Sequence, residues 1–244
     1  MSEQVIRPEG IPSGEAFGTP TIGMRAYLST QHLWAAEHFA RLAGELEAAH
    51  TGEPRFSAQH RAYVLGAVCE SVFFLEAFIN ELLQDAKDAV DDVDGPGAVD
   101  GLPLNAVRLM AAYWNSTEDD NKHVQAIPKY DAAGVFAGHP RSDSSREPHQ
   151  HLKVLIDLRN WSVHYRPRTM SADNPYTRFD QARTWFTENV LMAGSKNTWF
   201  PDKALGADCA RWAVKTVRAF VDEFVDTVGC RANYRDLGPL GEQP

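Results

Sequence analysis

From Met24 to about His50, apolar residues recur every three to four positions: Leu28, Leu33, Trp34, Phe39, Leu42 and Leu46. That period brings side chains to one face of a helix. The stretch Thr51–Pro54, reading TGEP, interrupts it. Ser57 then stands where a side-chain oxygen caps a helix start. The most apolar part of the chain follows, from Ala58 to Val90, with Leu65, Val68, Val72, Leu75, Phe78, Ile79, Leu82 and Leu83 in one wide stripe. A stripe that wide predicts a central helix covered on several sides. The acidic run from Asp91, with Gly and Pro after it, ends the pattern.

Residues 102–134 read as one or two shorter helices, the second around Val124–Ala133, followed by the polar loop GHPRSDSSREPH. A further helix is predicted from about Glu147 to Tyr165, with Leu152, Leu155, Ile156, Leu158 and Val163 on its apolar side and Pro167 just past its end. Residues 168–200 show the least helical character and fit a short strand pair or an ordered loop. A last helix is predicted from Gly206 to Val228, with Cys209, Trp212, Ala213, Val217, Phe220, Val221, Phe224 and Val225 on one face and Gly229 as its C-cap. Residues 1–23 hold four Gly and three Pro without periodicity and read as a flexible arm; 231–244 read as a loose tail. There is no internal repeat and no sustained strand alternation. The expected architecture is all-α: one bundle domain over residues 24–230, built of four to five long helices, with 168–200 as an irregular insertion before the last one.

Composition narrows the setting. Of 244 residues, 43% are apolar and 10% aromatic, ordinary for a globular chain. No uninterrupted apolar run approaches the roughly 20 residues of a membrane span, and the N-terminus has no apolar signal core. Three scattered cysteines, Cys69, Cys209 and Cys230, fit neither a disulfide framework nor a metal spacing. A cytoplasmic protein with no membrane partner is expected. The net charge of −9 opposes nucleic-acid binding over the whole surface. Locally the sign reverses: Lys153, Arg159, Arg166, Arg168, Arg178 and Arg183 face only Asp157, Asp173 and Asp180.

That basic strip contains DLRNWSVHYRP, residues 157–167, with arginine and histidine five apart. The spacing alone says little. The chain has three such pairs, Arg55/His60, Arg146/His151 and Arg159/His164, where chance placement gives roughly 0.6. Context separates them. Arg55/His60 spans a helix start outside the apolar stripe, and a proline splits Arg146/His151 in a polar loop. Arg159/His164 lies in a helix flanked by apolar residues, with Asn160 next to the arginine and on the same face as His164.

LRNWSVHY resembles the Arg-polar-x3-His signature of the HEPN superfamily of helical bundles, in which the residue after the arginine is small and polar. ESVFFLEAFINELL is similar to the long second helix of many members, with Glu76 and Asn80 in the Glu-Ala-x-x-Asn setting. LGADCARWAVKTVRAFVDEFVD resembles their closing helix, with its Trp-Ala pair. The resemblance spans about residues 57–230. It implies a metal-independent endoribonuclease of toxin–antitoxin or abortive-infection systems, acting as a homodimer whose two motifs face each other, with an antitoxin protein as a further partner. Some members only bind or scaffold. In one branch a tyrosine two places after the histidine is modified; here Arg166 holds that place and Tyr165 precedes it, so that feature is not implied.

The residue types suit the chemistry on their own. RNA carries its own nucleophile in the 2′-OH, so cleavage needs an acid or base near neutral pH and a cation at phosphorus. Histidine, with an ordinary pKa of about 6.5, fits the first role, and the arginine fork fits the second. His164 and Arg159 are the candidates, with Asn160 to orient the imidazole or touch phosphate, Glu76 and Asn80 in support, and Arg166, Arg168 and Lys153 as RNA contacts. No metal or other cofactor is needed. A plainer reading stands beside this one: Arg159 pairs with Glu76 inside the bundle, and His164 closes a helix C-terminus. His149–His151, reading HQH, has no convincing third metal ligand and is expected in a solvated loop. Asp91–Gly95 lacks the later glutamate of a calcium loop. Trp161, Trp185 and Trp199 are expected to pack rather than stack on bases, and Cys69 to lie in the core.

Overall fold

A computed structural model describes residues 25–91, 97–116, 124–171 and 173–236. The expected N-terminal arm 1–23 and most of the acidic turn after Asp91 lie outside them. The described chain is all-α. It has six helices: α1 Leu28–Ala48, α2 Ala58–Val90, α3 Leu104–Ser116, α4 Ala126–Phe136, α5 His149–Val163 and α6 Ala207–Val228.

α2 is the axis of the bundle, with α1, α3, α4, α5 and α6 all packed on it. Ser57 caps it as expected, accepting the His60 N–H at 3.2 Å. By length and composition α2 would pass for a membrane span. Its apolar side chains instead form the bundle core, with Val64, Val68, Val72, Leu75, Ile79, Leu82 and Leu83 fully buried. α1 packs on α2 and α6 and buries Leu33 and a line of alanines, Ala36, Ala40 and Ala43, while Leu28 and Trp34 stay exposed. Small residues allow a close approach. At Gly66 on α2 an added Cβ would come within 2.9 Å of the Phe39 ring. In α4, Pro128 sits in the first turn, where its missing N–H costs no hydrogen bond.

α5 ends as its sequence directs. His164 leaves helical geometry at φ −103°, its N–H still bonded to the Asn160 carbonyl at 2.9 Å, and Pro167 prevents continuation. α6 ends at Gly229 in the left-handed region, φ 81°, where a side chain would be strained.

Among the described residues, the segment between α5 and α6 holds no strand pair. A single isolated bridge joins Ser171 and Asn174, and short helical turns occupy Asp180–Thr184, Val190–Met192 and Trp199–Lys203. Aromatic rings give the segment its own packing. Phe179 and Phe200 are buried, Trp161 meets Phe200 edge-on at 4.6 Å, and Trp185 stacks on Trp212 of α6 at 5.9 Å. Buried Asn189 ties the segment's end, its Nδ2 donating to the Asp202 and Leu205 carbonyls and its Oδ1 accepting the Leu191 N–H at 3.0 Å. Gly206 follows because the backbones nearly touch: a Cβ there would lie 2.7 Å from Asn189 Cα. The N-terminus of α6 is then held from α1, where Glu47 accepts the Ala207 N–H at 2.7 Å and meets buried His60 Nε2 at 3.0 Å.

Four sequence expectations change. Over its described residues, 231–236, the tail is packed, while 237–244 lie outside them: Tyr234 is 1% exposed, its ring edge-on to Phe74 and Phe78, its hydroxyl donating to Asp222 at 2.7 Å. His60 is buried rather than peripheral, because Glu47, distant in sequence, partners it. The HQH stretch is the first turn of α5, not a solvated loop. His149 is 5% exposed beside Phe220, and His151 stacks near Trp185. Val163, expected on the apolar side, is exposed.

Candidate functional site

Residues Asp157, Asn160 and His164 follow one another at three and four places along α5, the spacing of a single helix face. Opposite that face lies the start of the 164–206 segment. Between them opens a cleft of about 300 Å³, lined by Asn160, Trp161, His164, Arg166, Arg168, Tyr176 and Arg178. Its chemistry is uniform: one imidazole, one amide, three guanidiniums and two aromatic rings. No carboxylate lines it.

His164 is exposed, and its ring has no hydrogen-bond partner among the described residues. Arg166 is likewise exposed without a carboxylate partner among them. Arg168 lies over the Tyr176 ring, 4.9 Å from its centroid. Arg178 is held from α5: its Nε donates to Asp157 Oδ2 at 2.8 Å and its terminal nitrogen to Oδ1, a bidentate fork. That carboxylate and the Tyr176 hydroxyl push the guanidinium pKa further up. Lys153, one turn before Asp157, instead donates to the Ser144 carbonyl at 3.2 Å and does not line the cleft.

Arg159 does not join this group. Five residues separate it from His164, about 140° around an ideal helix. Its guanidinium turns to α2 and pairs with Glu76. The sequence pointed to that pair, and the structure contains it. Asn80, the second expected supporting residue, is engaged elsewhere. Its Oδ1 accepts from Lys129 Nζ of α4 at 2.8 Å. Lys129 is buried, with its ammonium over the Trp114 ring at 5.1 Å and its pKa lowered by desolvation. Glu76 and Asn80 therefore fasten α5 and α4 to the central helix. Cys69 belongs to this neighbourhood rather than to the core. It is half-buried, its Sγ 3.8 Å from Ser162 Oγ, and burial raises its thiol pKa.

The residues brought together are thus Asn160, His164, Arg166 and Arg168, as expected. Trp161, Tyr176 and Arg178 come in addition. Trp161 serves both packing and lining. The signal for Arg178 was present in the basic strip, but the aperiodic stretch around it gave no way to place it next to Asp157. No cluster of three or more metal-ligating side chains occurs among the described residues. Comparison with models of known families, with curated proteins and with solved structures finds no match to this chain.

Proposed function

We propose that this chain is an endoribonuclease of the HEPN type that cleaves RNA without a metal, through attack of the substrate's 2′-OH. The observation that carries the reading is the α5 cleft, where an exposed imidazole stands among three guanidiniums with no carboxylate on its walls. A phosphodiester is the ligand such a site attracts. Flat rings at Trp161 and Tyr176 offer surfaces for a base.

In this reading His164 moves the proton, taking it from the 2′-OH or giving it to the leaving 5′-oxygen. The cleft guanidiniums neutralise charge at phosphorus, and Asn160 contacts phosphate or the imidazole. Arg159 contributes by holding α5 to α2 through Glu76. A homodimer would supply a second histidine and so pair an acid with a base. Growth arrest in a cytoplasmic defence or toxin–antitoxin setting, with an antitoxin as a partner, completes the proposal.

The second reading is a non-catalytic nucleotide- or RNA-binding module. It is favoured by the engagement of Arg159 in a bundle ion pair and by the lack, among the described residues, of a side-chain partner orienting His164. The deciding experiment incubates purified protein with a labelled RNA oligonucleotide in EDTA. Cleavage leaving 2′,3′-cyclic phosphate ends, lost in His164→Ala with the melting temperature unchanged, supports the nuclease. Binding without cleavage supports the module, and neither binding nor cleavage refutes both.

A further inference from the structure

We infer that Arg178, presented by Asp157, is the phosphate-binding fork of the cleft, so that the 164–206 segment supplies part of the RNA site. This rests on the function proposed above.

Asp157 lies three residues before Asn160 and seven before His164, on the same helix face. Its two oxygens take Nε and one terminal nitrogen of Arg178. A guanidinium has five N–H donors. The fork uses two. Three remain for a ligand in the cleft that Arg178 lines. The pair is exposed, with side-chain accessibilities of 48% and 42%. An ion pair so exposed adds little to folding. What the bidentate geometry does is fix the plane of the guanidinium beside His164. It also gives a cation from an aperiodic segment a position set by a helix. Asp157 is a positioning residue here, and Arg178 the group that meets phosphate. The arginine of the sequence motif, Arg159, is turned away toward Glu76, which leaves the phosphate role to the cleft arginines.

The test uses full-length protein and a fluorescein-labelled RNA oligonucleotide, with cleavage kinetics, binding anisotropy at several salt concentrations, and thermal melts. Asp157→Asn and Arg178→Lys are each expected to raise KM and Kd about tenfold, the value of a charge-assisted contact. Melting is expected to stay within about 2 °C of the wild type. Asp157→Glu restores most of the affinity, since it can still hold the fork. Arg178→Ala lowers the slope of log Kd against log salt by about 0.7, one phosphate contact on a single strand, a change that a purely structural role would not produce. Unchanged KM, Kd and salt slope in a wild type that does cleave overturns the assignment of Arg178 and Asp157 alone. A wild type that neither binds nor cleaves RNA overturns the proposed function and this inference with it.

Discussion

Arg159 on α5 pairs with Glu76 on α2, while His164, in the same sequence motif, opens into a cleft on another side of the helix. One short motif thus divides between holding the bundle and lining a cleft. Glu76 is 43% exposed and Arg159 18%, so solvent screens the pair. Glu76→Gln is expected to cost about 0.2–1 kcal/mol, a fall in Tm of about 2–4 °C at most. Arg159→Ala costs more, because its packed stem is lost as well. If Arg159 acts only through Glu76, the two variants lower RNA cleavage by similar factors, and the double variant lowers it no further. A loss confined to Arg159→Ala would return its guanidinium to the reacting groups.

His149 makes stability depend on pH. Its ring is buried, neither nitrogen has a hydrogen-bond partner among the described residues, and desolvation lowers its pKa, with Glu223 and Asp131 opposing and Lys153 and Arg146 adding to the shift. The unfolded chain therefore takes up the proton first, near pH 6.5, and stability present above that value is lost as pH falls below it. Melting curves between about pH 7.5 and pH 5 should show this loss. His149→Phe, which keeps a ring against Phe220, should flatten the dependence. The slope left over belongs in part to His151, whose pKa burial also lowers. An unaltered slope in the variant would show that His149 does not set it.

Tyr234 carries a larger stability effect. Truncating the chain after Cys230 removes a ring buried against Phe74 and Phe78. By analogy with deletion of a core aromatic this costs about 3–5 kcal/mol, a drop in Tm of about 10 °C. Tyr234→Phe loses only the bond to Asp222 and costs about 1 kcal/mol. Equal melting of the truncated and full chains would mean the packing contributes nothing.

Gly206→Ala tests the junction with α6. Its Cβ would meet Asn189 backbone at 2.7 Å, which cannot yield as a flexible side chain would. A cost of about 1–3 kcal/mol is expected from the forced shift, and, on the proposed function, the RNA affinity falls as the segment moves. Melting and anisotropy on the same sample separate the two effects.

The fold was legible where its causes were local. Ser57, Pro167 and Gly229 mark helix ends through their own chemistry, and each stands where it was expected. The wide stripe of α2 announced its central place. The alanine line of α1 was not visible, because Ala36, Ala40 and Ala43 carry little apolar signal and matter only once a second helix approaches. The burial of His60 and Lys129 carried no local signal, since Glu47 and Asn80, which make it tolerable, are distant in sequence. At the candidate site, Asn160 and His164 followed from helical spacing. Arg178 and Tyr176 required the path of an aperiodic segment that no period encodes.

Glu47 holds the N-terminus of α6 from α1 and so fixes where the 164–206 segment must return, while Pro167 fixes where it leaves. Between those two points the stretch is not free: buried Phe179 and Phe200 anchor it in the bundle, and Tyr176 leans on the Phe200 ring. Exposed Arg178 is the position that can change without disturbing that anchor, so the chemistry of the cleft can vary there while the framework that carries His164 is kept.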